Sequence, residues 1–232
     1  MKIINLNIRS GGSKRRNPLI LDYLLKNDPD LIILTEFIYN ESGKQIIEEL
    51  ESHGYQTKPS NIDGAYGSFI ASRIEMMVEK IEDRWSEVYL PEFDLYVLGT
   101  YFPAQVGKEK NDFWKKVLEY SSKNSDKNIL MAGDFNSCTD DDSENSTEYN
   151  PQDLKKLENL NYIDLWKISS ADKAHKYTWF YHDNTGFRID YTFVSNELYS
   201  KINEVSVTHD FDVRESKISD HLAMVVEWEF SN

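Results

Sequence analysis

"ILMAGDFNS", residues 129–137, is an apolar run that closes on Asp134 and Asn136, with Gly133 just ahead of them. A run of that length and composition reads as a buried strand, and one that ends on two polar side chains carries them to a boundary of the fold. Other runs repeat the arrangement. "KIINLNI" (2–8) holds Asn7 near its end, "LIILTE" (31–36) closes on Glu36, and "LYVLGTYF" (95–102) reaches Tyr101. "RIDYTFVS" (188–195) is interrupted by Asp190, and Asp220 and His221 stand just before the final run "AMVVEWEF" (223–230). Further strands are expected at "AYGSFIAS" (65–72), "YTWFY" (177–181) and "EVSVTH" (204–209).

Helical spacing fills the intervals. "NPLILDYLLKND" (17–28) offers Asn17 as an N-cap and Pro18 at the first helical position, and "SGKQIIEELESHG" (42–54) finishes on Gly54. "NDFWKKVLEYSSK" (111–123) precedes the opening run, and "NPQDLKKL" (150–157) starts a short helix after it. Each half of the chain therefore runs strand, helix, strand, which predicts an α/β fold in which two sheets form a sandwich. At 232 residues and 40% hydrophobic content the chain can bury a large core, and one domain over 1–232 is the expectation.

A net charge of −14 repels polyanions and disfavours wrapping nucleic acid through broad phosphate contacts. Part of the acid is gathered in "TDDDSENSTE" (139–148), which reads as a solvated loop, while Lys14, Arg15 and Arg16 cluster elsewhere. No apolar run approaches the ~20 residues of a membrane span, and "MKIINLNIRSGG" lacks the features of a secretory signal, so a cytosolic setting is expected. The single cysteine, Cys138, agrees with a reducing compartment. No glycine-rich phosphate loop, zinc-type Cys/His cluster or serine-hydrolase elbow is present, and His175, His182 and His209 show no metal-ligand spacing.

Strand ends in layered α/β proteins converge on one edge, where a cleft forms. Carboxylates, carboxamides and a histidine gathered there suit a Mg²⁺ or Mn²⁺ site for phosphoryl chemistry. Taken one at a time these residues have ordinary readings. Asp134 and Asn136 serve as turn formers, Glu36 as a solvated charge, Tyr101 as a core aromatic, His221 as a surface histidine and Asn7 as a loop hydrogen-bonder. Asp190 resists such a reading, because an acid inside an apolar strand is costly unless paired.

The blocks together, in order and nearly end to end, resemble the endonuclease/exonuclease/phosphatase superfamily: Asn7 after the first strand, Glu36 closing "LIILTE", "GDFN" (133–136), Asp190, and "SDH" (219–221). "TYFPAQ" (100–105) and "YTWFYHDNTGFRIDYTFVS" (177–195) are similar to segments of its AP-endonuclease/exonuclease branch. Ala104 and Arg9 depart from that branch, which usually has Asn and often Asp there. The resemblance implies a four-layer α/β sandwich, two mixed β-sheets face to face and flanked by helices. It implies metal-assisted hydrolysis of a phosphodiester, most simply in DNA, with Mg²⁺ or Mn²⁺ as cofactor. Glu36 would be the main metal ligand, with Asn7 and Asp220 holding the metal directly or from just behind its ligands. Asp134 would activate water, Asn136 would hold the water or a phosphate oxygen, and Asp190 would orient a His221 that faces the phosphate. Tyr101 would donate to the phosphate or leaving group, and Arg9, Arg15 and Arg16 are candidate phosphate contacts. The alternatives are a phosphatase or phosphodiesterase for a small molecule or lipid headgroup, and a non-catalytic binding module.

Overall fold

In the computed structural model, which describes residues 1–171 and 174–231, the apolar runs fold into two six-stranded mixed sheets. The first joins β1 (Lys2–Asn7), β2 (Leu31–Ile38), β3 (Gln56–Pro59), β4 (Tyr66–Ser72), β13 (Ile202–Asp210) and β14 (Ala223–Phe230), in the spatial order β13-β14-β1-β2-β4-β3. The second joins β5 (Met77–Glu82), β6 (Trp85–Leu90), β7 (Leu95–Tyr101), β8 (Ile129–Asp134), β9 (Tyr162–Asp164) and β12 (Asp190–Ser195), in the order β5-β6-β7-β8-β12-β9. A small ribbon pairs β10 (Trp179–Phe180) with β11 (Gly186–Phe187). The main helices are α1 (Asn17–Asn27), α2 (Glu41–Ser52), α3 (Lys108–Lys123) and α4 (Pro151–Asn159), and three single-turn helices follow: α5 (Leu165–Ile168), α6 (Asn196–Tyr199) and α7 (Asp212–Glu215).

Three apolar layers hold these elements together. Ile33, Ile70, Val97, Leu130 and Val226 pack between the sheets. Ile20, Leu24, Ile46 and Leu50 seat α1 and α2 on the outside of the first sheet, and Trp114, Val117, Leu154 and Leu157 seat α3 and α4 on the second. The result is the expected four-layer sandwich. Gly99 leaves room between the sheets: a Cβ there would meet Ile70 Cγ1 at 3.2 Å and Ile33 Cγ2 at 3.3 Å.

Each sheet contains one parallel pair, β1–β2 across α1 and β7–β8 across α3. A parallel neighbour requires a crossover connection, so the carboxyl ends of all four strands are reached before the chain turns away. Gly133 is required for β8 to end as it does. At φ +150° a Cβ on this residue would lie 1.8 Å from the Thr100 carbonyl oxygen of β7.

Several local expectations shift. Asn17 is the first residue of α1, with Arg16 at the cap position, and its Oδ1 accepts from the Ser13 N–H at 2.9 Å. α3 begins three residues earlier than 111, and "YTWFY" contributes only the two-residue β10. The acidic run is not wholly solvated. Asp142 is buried, because a guanidinium from residue 188 reaches it. No helix among the described residues is long and apolar enough to cross a membrane.

Candidate active site

Three strand ends of the second sheet lie side by side. Tyr101 is the register partner of Asp134, and Asp134 faces Asp190 across the antiparallel β8–β12 pair. Asp190 therefore opens its strand rather than interrupting it. Two carboxylates directly opposite on neighbouring strands repel, so the placement calls for a positive charge. His221 supplies it, with Nδ1 2.8 Å from Asp190 Oδ2 and both residues buried. Thr178 fixes the pair from behind: its Oγ1 accepts from the Ile189 and Asp190 N–H groups at 3.1 and 3.2 Å, and its carbonyl accepts from Leu222 at 2.7 Å.

The first sheet closes over this group through Asn7 and Glu36. Asn7 Nδ2 donates to Asp134 Oδ2 at 2.9 Å and to Glu36 Oε1 at 3.3 Å, while its Oδ1 accepts from the Arg9 N–H at 2.8 Å. With its oxygen so engaged, Asn7 is placed as a bridge between two carboxylates. Ser219 anchors the bridge, donating to the Asn7 carbonyl at 2.6 Å and accepting from the His221 N–H at 3.2 Å. Glu36 does not end β2, which runs on to Ile38. It sits where the register slips between Thr35 and Phe37, at φ +54°. A bulge re-aims one side chain, and a left-handed non-glycine residue stores strain that such sites retain for a purpose. Glu36, Asp134, Asn136, Asp220 and His221 share a cleft of about 420 Å³ with the apolar Trp179 and Ile189.

The charges in the cleft adjust one another. Burial alone would push the His221 imidazole down, but the Asp190 carboxylate, its hydrogen bond and the nearby Asp134 raise it to about 10, so His221 is a cation at neutral pH. Burial and the facing Asp190 push Asp134 well above the usual carboxylate range, and His221 and the Asn136 N–H offset this only in part. Burial, with Glu36 and Asp134 beside it, raises the Tyr101 phenol, which stays a neutral O–H donor; its hydroxyl lies 3.5 Å from Glu36 Oε1. Asn136 has a left-handed backbone at φ +46°, and its Nδ2 is tied to the Phe102 carbonyl at 3.0 Å.

The three arginines separate. Arg9 Nε lies 3.6 Å from Asp220 Oδ2 at the exposed rim. Arg16 turns inward and donates to the carbonyls of Ile8, Arg9 and Gly12 at 2.8, 2.6 and 3.0 Å, so it clamps its loop rather than offering a free cation. Arg15 is exposed beside them.

Lys110 is the residue the sequence reading missed. It is fully buried, and its Nζ donates to the Asn136 carbonyl. Burial lowers its ammonium to about 8 against the opposing pull of Asp134. A signal was available: Lys110, Trp114, Val117 and Ser121 fall on one face of α3 at helical spacing, which places a lysine in line with core residues.

The likeness to known proteins agrees with this geometry. A sequence profile of the endonuclease/exonuclease/phosphatase family matches residues 4–221. The chain belongs to that family. Exodeoxyribonuclease III of Haemophilus influenzae is 24% identical over 98% of this chain and 100% of its own length. Among solved structures, the 3′ phosphatase NExo from Neisseria, bound to product DNA hairpin, superposes with a TM-score of 0.82 at 21% identity, covering 99% of each chain. An AP endonuclease from Archaeoglobus fulgidus gives a TM-score of 0.78 at 21% identity, again over 99% of each.

The cleft has a donor set that fits a hard divalent cation. Glu36 and Asp220 bring carboxylate oxygens to one cleft, and the hydrogen bonds to Glu36 come from neutral donors that leave its charge uncompensated. The ligand atoms of Asp134, Asp190 and His221 also lie within 4.8 Å of one another. In that second group the His221 cation sits on Asp190 and leaves Asp134 without an ion pair of its own.

Proposed function

We propose that this chain is a metal-dependent nuclease that hydrolyses DNA phosphodiester bonds, of exonuclease or AP-endonuclease character, using Mg²⁺ or Mn²⁺ held by Glu36 and Asp220. The observation that carries the reading is the cross-strand Asp134–Asp190 pair with His221 locked on Asp190. It gives a water-activating carboxylate and a fixed cation in one cleft. The cation, when bound, polarises a phosphoryl oxygen and neutralises the charge that builds there. Asp134 accepts the proton of the attacking water; its raised pKa makes it a better base than an ordinary carboxylate, and the Asn7 and Asn136 donors fix its orientation. His221 presents its free Nε2–H as a charged donor to the phosphate, and Tyr101 donates from its neutral phenol. The named activities of the H. influenzae and Neisseria relatives, acting on DNA, support the same substrate.

The test is Mg²⁺- and Mn²⁺-dependent cleavage of duplex DNA with an abasic site, of linear and nicked duplex, and of a generic phosphodiester, with Asp134→Asn as control. DNA cleavage that vanishes in the variant is the expected result. Turnover of the generic ester alone would make the protein a small-molecule phosphodiesterase, and no turnover with either metal would make it a binding module.

A further inference from the structure

A nuclease with net charge −14 needs a hold on DNA that does not depend on many phosphate contacts. Most cations beside the cleft are already engaged: Arg16 on backbone carbonyls, Lys110 on the Asn136 carbonyl, Arg84 over the Tyr101 ring and Arg9 on Asp220. Nine large hydrophobic side chains are exposed among the described residues; Val106 lines the cleft, and Tyr66 and Tyr181 pack on rings beside it. Scattered exposed apolar residues are ordinary, and what singles out these three is their place beside the cleft.

Each of the three is tied to the site. The Tyr66 ring meets the Tyr101 ring edge-on at 6.4 Å, and its hydroxyl lies 3.4 Å from Ser10 Oγ, whose N–H holds Glu36. Val106, 63% exposed, lines the cleft itself. Tyr181 at the end of β10 packs edge-on against the cleft residue Trp179 at 5.8 Å. We infer that Tyr66, Val106 and Tyr181 form a stacking rim for nucleobases, so that unpaired or frayed DNA strand ends bind in preference to intact duplex. A duplex hides its base faces in its own stack, whereas an unpaired end offers them, and stacking on aromatic and apolar side chains needs no phosphate partner. The inference rests on the nuclease reading above for the identity of the polymer.

The experiment has two arms. Fluorescence anisotropy with Asp134→Asn protein compares a labelled oligothymidine about ten nucleotides long with a blunt duplex of similar length. The single strand is expected to bind more tightly, with a shallow dependence on salt; tighter binding of the blunt duplex overturns the proposal. Hydrolysis of the strand and of a generic phosphodiester is then measured for the wild type, Tyr66→Ala, Tyr181→Ala and Tyr66→Trp. Each alanine variant should raise KM for the strand about tenfold more than it affects the ester, and Tyr66→Trp should restore it. Equal losses on strand and ester overturn the rim. Absence of any metal-dependent turnover in the wild type instead sinks the nuclease reading, and the anisotropy arm still decides whether the rim prefers unpaired DNA.

Discussion

Two buried charge clusters stand two residues apart at the start of β12, and each sets one cation against two carboxylates. Arg188 places Nε and Nη2 2.7 Å from Asp142 Oδ1 and Nη1 2.7 Å from Asp164 Oδ2. His221 sits on Asp190, with Asp134 across the strand. Their electrostatic outcomes differ. Burial would raise Asp142, but Arg188 and the hydroxyls of Thr139 and Tyr191 bring it below the ordinary carboxylate range; burial keeps Asp164 raised in spite of Arg188, and it raises Asp134, which has no ion pair of its own. The guanidinium is a planar fork that serves two acids at once. An imidazolium has two N–H groups, and here one is committed to Asp190, so Asp134 keeps a carboxylate without a direct ionic partner. Burial and pairing alone do not mark a reactive site; a carboxylate left short of charge beside an open cleft does.

Substitution should divide the two clusters cleanly. Asp134→Asn should cost about 10³-fold in kcat, the scale of a lost general base, with little change in thermal stability. Arg188→Met should do the reverse. It leaves two buried carboxylates unpaired and should destabilise the fold by about 3–5 kcal/mol, measured by urea unfolding, while the folded fraction retains its kcat. A catalytic loss in Arg188→Met that exceeds the unfolded fraction would erase the distinction.

The pH profile sharpens it next. His221 has a folded pKa of about 10, above its unfolded value, so the stability from its pairing is fully present below the unfolded pKa and is lost as pH rises through about 10. Activity should rise with pH as Asp134 ionises, at a pKa above the ordinary carboxylate range, and fall near pH 10 as His221 loses its proton. Asp190→Asn removes the charge that holds His221 up and leaves burial, which lowers it. The alkaline limb of kcat/KM should therefore move down by several pH units, with a loss of about 10²-fold at neutral pH. A limb that stays near pH 10 would show that Asp190 does not set the charge of His221.

A smaller effect is expected at Lys110. Lys110→Met keeps the length of the side chain but leaves the carbonyl of the left-handed Asn136 without its charged donor. An unpaired buried acceptor costs about 1–3 kcal/mol, so kcat should fall roughly tenfold, and KM for a generic phosphodiester should change less. Unchanged kcat would reduce Lys110 to a packing residue.

The elements that place the site were legible because they are written in contiguous runs. Asn7, Tyr101 and Asp134 do end their strands, and Asp220 and His221 do precede β14. What escaped depends on contacts distant in sequence. The bulge at Glu36 arises from pairing with β4, which no local pattern of "LIILTE" reports. Asp142 reads as one of three solvated acids until Arg188, far along the chain, buries it. Edge strand β5 was unread because five of its six residues are exposed and carry no burial pattern. Arg16 shared a basic cluster with Arg15, and only the fold shows its guanidinium capping backbone carbonyls.

The contrast between Arg16 and Arg9 gives the smallest prediction. Arg9 and Asp220 are half exposed, at 59% and 39% of their side chains, and 3.6 Å apart, so their attraction is worth about 0–1 kcal/mol and is screened by salt. If Arg9 also meets substrate phosphate, Arg9→Ala should raise KM for DNA about two- to threefold at low salt and less at high salt, with the melting temperature unchanged. Arg16→Met should do the opposite, lowering the melting temperature through the backbone carbonyls left without their donor while the salt dependence of KM stays as in the wild type. A salt-dependent KM defect in Arg16→Met would mean that its guanidinium leaves the loop to meet DNA, and the separation of rim cation from loop clamp would fail.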